Sequence, residues 1–367
     1  MRIEADPAAH WELGSEFHWA GLPPGPFFPW PQPAVWFMLA RHAVAALVQT
    51  SIRQKASDKP TLWLPSYFCP EVADACRDSC EIREYRDLPT LPEPDWKSLR
   101  PKALDIVLAV NYFGVREAEP WRLWRQKNDC ILLEDHSQDP FSEWAVSSTA
   151  DFAFASLRKT LPIADGAILW SPQGRGLPKQ PPDGDWNGVA LKLAAMMLKR
   201  EYLSGCGDAA LKAQFRDFQL RGEAIYRTSR ISAISPPSAG YLANGAPKEW
   251  RTRRLENARH LIGQLPGARD QQLLFEKFAD GGVPFAVPIL LATEAEREAT
   301  QLLLQRHRIY CPVHWVCRTD DLEAVALSRR ILSLPVDQRY SSTDVDRIAE
   351  VIVSQGKNEA INRGVAV

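Results

Sequence analysis

The 367-residue chain carries 44 basic and 45 acidic residues, a formal net charge of −1, so its charge balance argues against a broad nucleic-acid or anionic-membrane surface. Hydrophobic residues make up 45% and charged residues 24%, an ordinary balance for a globular protein, and no uncharged apolar run approaches the roughly 18 residues of a membrane span. Seven cysteines, an odd number in a long chain, point to reduced thiols and a cytoplasmic setting rather than a disulfide framework.

In chain order, Met1–Asp6 lacks the apolar core of a signal peptide. Residues 1–35 are crowded with proline and aromatics, as in Leu22-Pro23-Pro24-Gly25-Pro26-Phe27-Phe28-Pro29-Trp30-Pro31, and read as an N-terminal arm packed on the body or on a partner subunit. Residues 36–53 have an alanine-rich apolar face and predict a helix. Strands are predicted at 61–65, 81–85, 105–110 and 131–134, with helices at 71–80 and 119–128 between them. Cys69, Cys76 and Cys80 fall around the first of those helices and read as buried thiols, because no CxxC or histidine stands near them. Two further apolar runs, Asp151–Ser156 and Gly166–Trp170, flank Arg158-Lys159. The pattern turns helical from 185 to about 219. Ser235-Pro236-Pro237 to Pro247 reads as a boundary. Beyond it come a charged helix (249–264), a strand (285–291), a helix (293–306), a strand (331–335) and a last helix from 343. Strands alternating with helices at this pitch predict an α/β fold, with a mostly parallel central sheet covered by helices on both faces. The expected division is an arm (1–35), a large α/β domain (36–246) and a smaller C-terminal α+β domain (247–367).

The chemistry concentrates at two strand ends. Ile131-Leu132-Leu133-Glu134 runs into Asp135-His136-Ser137-Gln138, and Phe152-Ala153-Phe154-Ala155-Ser156 runs into Leu157-Arg158-Lys159. Ligands of open α/β sheets bind at the carboxyl ends of strands, so Asp135 and Lys159 are expected to face one crevice. An acid opposite a lysine suits pyridoxal phosphate, whose ring nitrogen needs a counter-charge and whose aldehyde condenses with an amine. Taken singly, Asp135 also reads as a helix cap or ion-pair partner, and Lys159 as a solvated lysine. Arg41 and His42 open the first helix, where backbone N–H groups attract phosphate; Arg41 paired with a carboxylate is the competing reading. His136 is expected against a bound ring or as a structural histidine. His314 and Trp315 read as reaching toward a substrate or as core.

In this order the segments resemble the DegT/StrS-type aminotransferases, also called sugar aminotransferases, which are pyridoxal phosphate enzymes of fold type I. The resemblance spans residues 35–355. It rests on Asp135-x-x-Gln138 followed by Ser156, Lys159 and Gly166. Trp63-Leu64-Pro65-Ser66-Tyr67, Val110-Asn111-Tyr112-Phe113-Gly114 and Leu332-Ser333-Leu334-Pro335-Val336 support it. It implies that Lys159 forms a Schiff base with the cofactor and that Asp135 pairs with the ring nitrogen. Gln138 would bind the ring hydroxyl and Ser156 the phosphate. The chain departs from the family in four places. Only Leu157 and Arg158 separate Ser156 from Lys159, and Ala40-Arg41-His42-Ala43 replaces the usual phosphate turn. Cys69 stands near the usual stacking aromatic, leaving Tyr67 or Phe68 to serve. Ile225-Tyr226-Arg227 replaces an Asn-Tyr-Arg segment that reaches a neighbouring subunit. The resemblance implies a homodimer that takes a small-molecule amino donor and a keto acceptor, keto sugars included. Two alternatives stay open: other cofactor chemistry of dehydratase type, whose practitioners replace the lysine, and a non-catalytic sensor or scaffold of the same fold.

Overall fold

The computed structural model describes residues 10–53, 60–265 and 271–362; Met1–Asp6 lies outside the described residues. The first part of the chain runs β1 (Phe27–Phe28), β2 (Ala34–Phe37), α1 (Ala40–Arg53), β3 (Thr61–Pro65), α2 (Pro70–Cys76), β4 (Glu81–Tyr85), β5 (Ile106–Val110), α3 (Glu119–Arg125), β6 (Ile131–Asp135), α4 (Glu143–Val146), β7 (Phe152–Ser156) and β8 (Ala167–Trp170). Seven of these strands form one sheet in the order β2-β8-β7-β6-β5-β3-β4. The strands from β3 to β7 are mutually parallel; β8 runs antiparallel to both β7 and β2.

The interior strands β3, β5 and β7 are buried along their whole length because both faces of the sheet are covered there, whereas the edge strand β4 exposes Glu81, Arg83 and Glu84. Successive residues of β5 show this: Ile106, Leu108 and Val110 enter one core cluster, Val107 and Ala109 another. The period-2 alternation of side chains sends neighbours to opposite faces. The first cluster lies under α1 and includes its Ala43, Val44 and Leu47; the second packs on Trp121 of α3.

The chain continues with α5 (Asn187–Leu203), α6 (Ala209–Thr228), α7 (Pro236–Leu242), β9 (Ala246–Pro247), α8 (Lys248–Gln264), β10 (Gln271–Leu273), β11 (Ala286–Leu291), α9 (Glu294–Arg306), α10 (Leu322–Arg330), β12 (Ile331–Pro335) and α11 (Ser342–Asn362). β10, β11 and β12 make an antiparallel sheet. Its core joins Val287 and Ile289 to Leu332 and Leu334, and to Leu261 of α8, Leu304 of α9 and Ile348 of α11.

The proline-rich segment packs on its own chain. Leu13 is fully buried in the core of the small sheet, β1 pairs with β9, and Trp30 sits with Ile168 and Trp170 of β8. Helix prediction from residue 36 is corrected at its start. Ala34–Phe37 is the edge strand β2, and the helix begins at Ala40, because the apolar run pairs with β8 before the chain turns. The stretch from 185 to 219 is two helices, α5 and α6, with Asp208 capping the second by accepting from Ala210 and Leu211 N–H.

Candidate active site

β6 and β7 are parallel neighbours, with Asp135 opposite Phe154, so the chain leaves both strands at one edge of the sheet. Asp135 is buried at the end of β6. One of its carboxylate oxygens accepts from the Ser137 N–H at 2.7 Å; the other has no partner among the described residues. Ser137 also accepts from the Ser156 N–H at 2.8 Å, so one hydroxyl ties the end of β6 to the end of β7. The Ser156 hydroxyl itself has no partner among the described residues. A tight 3-10 turn, Leu157–Lys159, follows, and Leu157 donates back to the Gly166 carbonyl at 3.0 Å. The Lys159 amine makes no hydrogen bond or ion pair with a described residue. It lies 5.0 Å from the centre of the Trp315 ring.

Gln138 arrives at the same edge. The Phe113 N–H donates to its side-chain oxygen, and its Nε2 is buried without a protein partner among the described residues. The turn holding Phe113 depends on Gly114, whose φ is +75°; a Cβ there would meet Asp139 Cβ at 2.7 Å and the Val283 carbonyl at 2.8 Å. The thiol of Cys69, just before α2, lies within electrostatic reach of both Lys159 and Asp135. Burial pushes that thiol upward, and the Lys159 charge opposes the shift. Acid, amine, amide and thiol therefore gather at the strand ends.

The other predicted residues divide. β2 runs parallel to β7, so α1 starts at this same edge, and Gly166 N–H donates to the Met38 carbonyl at 2.8 Å. For Arg41 the competing reading holds: its guanidinium pairs with Glu71 at 2.6 Å and donates to the Tyr226 carbonyl. His42 meets Ser229 Oγ at 3.2 Å. Tyr67 is fully buried, its hydroxyl donating to the His314 carbonyl, and Phe68 packs on Trp315. Both therefore lie beneath Trp315 in the core. His136 is turned away from Asp135 by strand alternation: its Nε2 meets Glu134 at 2.9 Å, and its ring stacks on Trp170.

A cavity of about 310 Å³ opens beside Lys159, walled by Arg158, Lys159, Glu223, His314, Ser333 and Arg339 among others. Neither Asp135 nor Gln138 lines it. Arg158 pairs with Glu223 at 2.5 Å, Lys192 bridges Glu223 and Glu16, and Arg339 pairs with Asp337 at 2.8 Å. That leaves Lys159 as the cationic wall group without a carboxylate partner among the described residues. Ser137 carried no pattern of its own in the sequence. Ser137 stood inside the Asp135–Gln138 motif, which was its only signal.

Three histidines around the site and the arm set an expected pH response. Burial, with help from Arg41, holds His42 at about 4. Burial, helped by Arg339, holds His18 at about 4, and burial and Lys159 hold His314 at about 3. Each lies below its ordinary value near 6.5, so the folded chain binds fewer protons than the unfolded one. Stability is complete above that value and falls as pH drops from about 6.5 toward 4. The urea midpoint is expected to decline across this window, and His42→Gln to flatten part of the decline. An unchanged midpoint from pH 7 to 4 would contradict these shifts.

No protein-family model matches the sequence, and no curated protein matches it. Solved structures do match. Helicobacter pylori PseC, an aminotransferase involved in the biosynthesis of pseudoaminic acid, is 14% identical over 89% of this chain and 87% of its own, with a TM-score of 0.61. TlmJ, an aminotransferase from Streptoalloteichus hindustanus, is 17% identical over 89% and 86%, with a TM-score of 0.58. NtdA from Bacillus subtilis, with bound cofactor PMP, is 11% identical over 88% and 73%, with a TM-score of 0.55. The chain therefore has the fold of these proteins, the fold type I architecture that the family resemblance implied.

Proposed function

We propose that the protein is a pyridoxal phosphate-dependent aminotransferase of the DegT/StrS type, moving an amino group from an amino donor to a keto substrate, a keto sugar among the candidates. One observation carries this reading. The Lys159 amine, the Ser156 hydroxyl, one Asp135 oxygen and the buried Gln138 Nε2 collect at one sheet edge, and none has a partner among the described residues. Those groups fit the cofactor: an amine for its aldehyde, a carboxylate for its protonated ring nitrogen, a donor for its ring hydroxyl and a hydroxyl for its phosphate. Arg41, already paired, is left out of the phosphate site; the positive end of the α1 dipole favours a phosphate there instead.

When bound, the cofactor supplies an electron sink for breaking the C–H bond beside the transferred amine. Lys159 Nζ would hold the aldehyde end and would serve as the proton-carrying amine. Asp135 would keep the ring nitrogen protonated. Trp315 lies against the amine. PseC and TlmJ, aminotransferases of the same fold, support the reaction class, and bound PMP in NtdA supports the cofactor. We include in the proposal a homodimer, a cytoplasmic setting and the division at residues 35 and 246. Seven cysteines, none of them in a disulfide among the described residues, support the setting, and among the described residues no helix is long and apolar enough to cross a membrane.

The test is direct. Protein incubated with pyridoxal phosphate and reduced with borohydride should carry the cofactor mass on the peptide containing Lys159. L-Glutamate or another amino donor should then discharge the visible colour of unreduced protein. The Arg41–Glu71 pair favours one rival, a non-catalytic scaffold of the same fold. Mass on Lys159 with no response to any donor would select that rival; no mass there would end the aminotransferase reading.

A further inference from the structure

The turn that presents Lys159 ends at Thr160, which is buried at 4% exposure. A buried carbonyl at the end of a turn needs donors. The Thr160 carbonyl receives two from far along the chain. Arg254 Nη2 of α8 donates at 3.2 Å, and Gln338 Nε2, just after β12, donates at 2.9 Å. The two donors also bind each other, Arg254 Nη2 donating to Gln338 Oε1 at 2.6 Å. The closed triangle is braced from behind. Asn257, nearly one helical turn beyond Arg254, donates to the carbonyls of Asp337 and Tyr340 at 3.1 Å each, on either side of Gln338.

Arg254 is 5% exposed, makes no ion pair with a carboxylate among the described residues, and leaves its Nε buried without a partner. Burial pulls it below its ordinary value. Asp337 and Asp139 lie within electrostatic reach and oppose that shift, but the groups that accept its hydrogen bonds are neutral, and two apolar side chains would fasten α8 to this loop at less expense. The arrangement makes sense if its purpose is the Thr160 carbonyl.

We propose that Arg254 and Gln338 are positioning residues that set where the Lys159 amine lies, by gripping the carbonyl that follows it. The inference rests on the reading of Lys159 as the cofactor-binding amine. It also makes the small sheet part of the catalytic frame, because Gln338 leaves β12 and reaches the turn after β7.

Gln338→Glu separates this role from a merely structural one. The carboxylate still accepts from Arg254, now as an ion pair, but it cannot donate to Thr160 and repels that carbonyl. The urea midpoint should hold. The rate at which cofactor-free protein takes up pyridoxal phosphate on Lys159, read as borohydride-fixed mass, should fall roughly tenfold. Trace acylation of Lys159 in the cofactor-free chain, measured against the exposed Lys97 and Lys179, should rise about threefold as the amine leaves the Trp315 ring. Gln338→Leu should move both rates the same way. Wild-type rates in Gln338→Glu would overturn the proposal. So would rates that change only with a lower midpoint and faster labelling of the buried Lys199. The acylation rate needs no cofactor. If wild-type protein never takes up pyridoxal phosphate, the proposed function falls while the positioning claim is still decided.

Discussion

Lys159→Ala is expected to abolish borohydride-fixed cofactor mass and to lower amino transfer by roughly 10⁴-fold, the upper range for losing a proton-transfer group, with the covalent link lost as well. The fold should survive. The amine has no hydrogen bond or ion pair with a described residue, and its ring contact with Trp315 is one of several that ring makes, with Tyr67 and Phe68 beneath it. Thr160 keeps its two donors whatever side chain precedes it, because they grip its carbonyl. Circular dichroism and the urea midpoint should therefore match the parent while the mass label disappears. A label that persists, moved to Lys192 or Lys199, would show that one of the buried lysines of α5 had been mistaken for a structural one. Those two are the plausible rivals, since Lys192 lines the same cavity and burial brings Lys199 down to about 7. Each already holds the arm, Lys192 through Glu16 and Lys199 through Ser15, so either would have to abandon that contact to react.

Asp135→Asn should leave the protein folded and able to take up cofactor, yet cut the rate of amino transfer by on the order of 10²- to 10³-fold, the scale of losing one preorganised electrostatic partner. The amide oxygen can still accept from the Ser137 N–H, so the tie from β6 through Ser137 to Ser156 is preserved. What is lost is the negative charge on the second oxygen, which has no other task among the described residues. Cofactor affinity should change less than the rate, because Lys159, Gln138 and the phosphate end remain. An equal loss in affinity and in rate would mean that Asp135 serves to hold the group rather than to keep its ring nitrogen protonated. Activity unchanged in Asp135→Asn would remove it from the reaction altogether.

Much of the frame was legible from local pattern. Thr61–Pro65, Glu81–Tyr85, Ile106–Val110 and Ile131–Asp135 were expected within one residue of where they lie, because short apolar runs between polar breaks have few alternatives to a buried strand. Helix α10 was missed although Asp321 signals it, capping Glu323 and Ala324 N–H. The second half of β2, Trp36 and Phe37, was read as helix because a short apolar run that flows into a helical face has no period of its own. Asp135 and Lys159 were placed at one edge by reasoning from the strands, since parallel strands in one sheet bring their carboxyl ends together, whereas Gln138 and Ser156 entered through the resemblance. His136 takes the opposite face by the same alternation, because its N–H still pairs with the Phe154 carbonyl one residue past the end of β6.

The sequence by itself determined the alternation of strands and helices, the apolar faces that drive them together, and the candidate acid and amine. These are local properties: period, composition and caps act over a few residues. Tertiary structure alone decided which polar groups find partners. Arg41 is consumed by Glu71, and Tyr67 by the carbonyl of His314, 247 residues away. Thr160 is held from 94 and 178 residues away. Hydrogen bonds and ion pairs form over about 3 Å between side chains that the fold happens to juxtapose. No spacing along the chain encodes them, and they separate the side chains that brace this sheet edge from the few left open there.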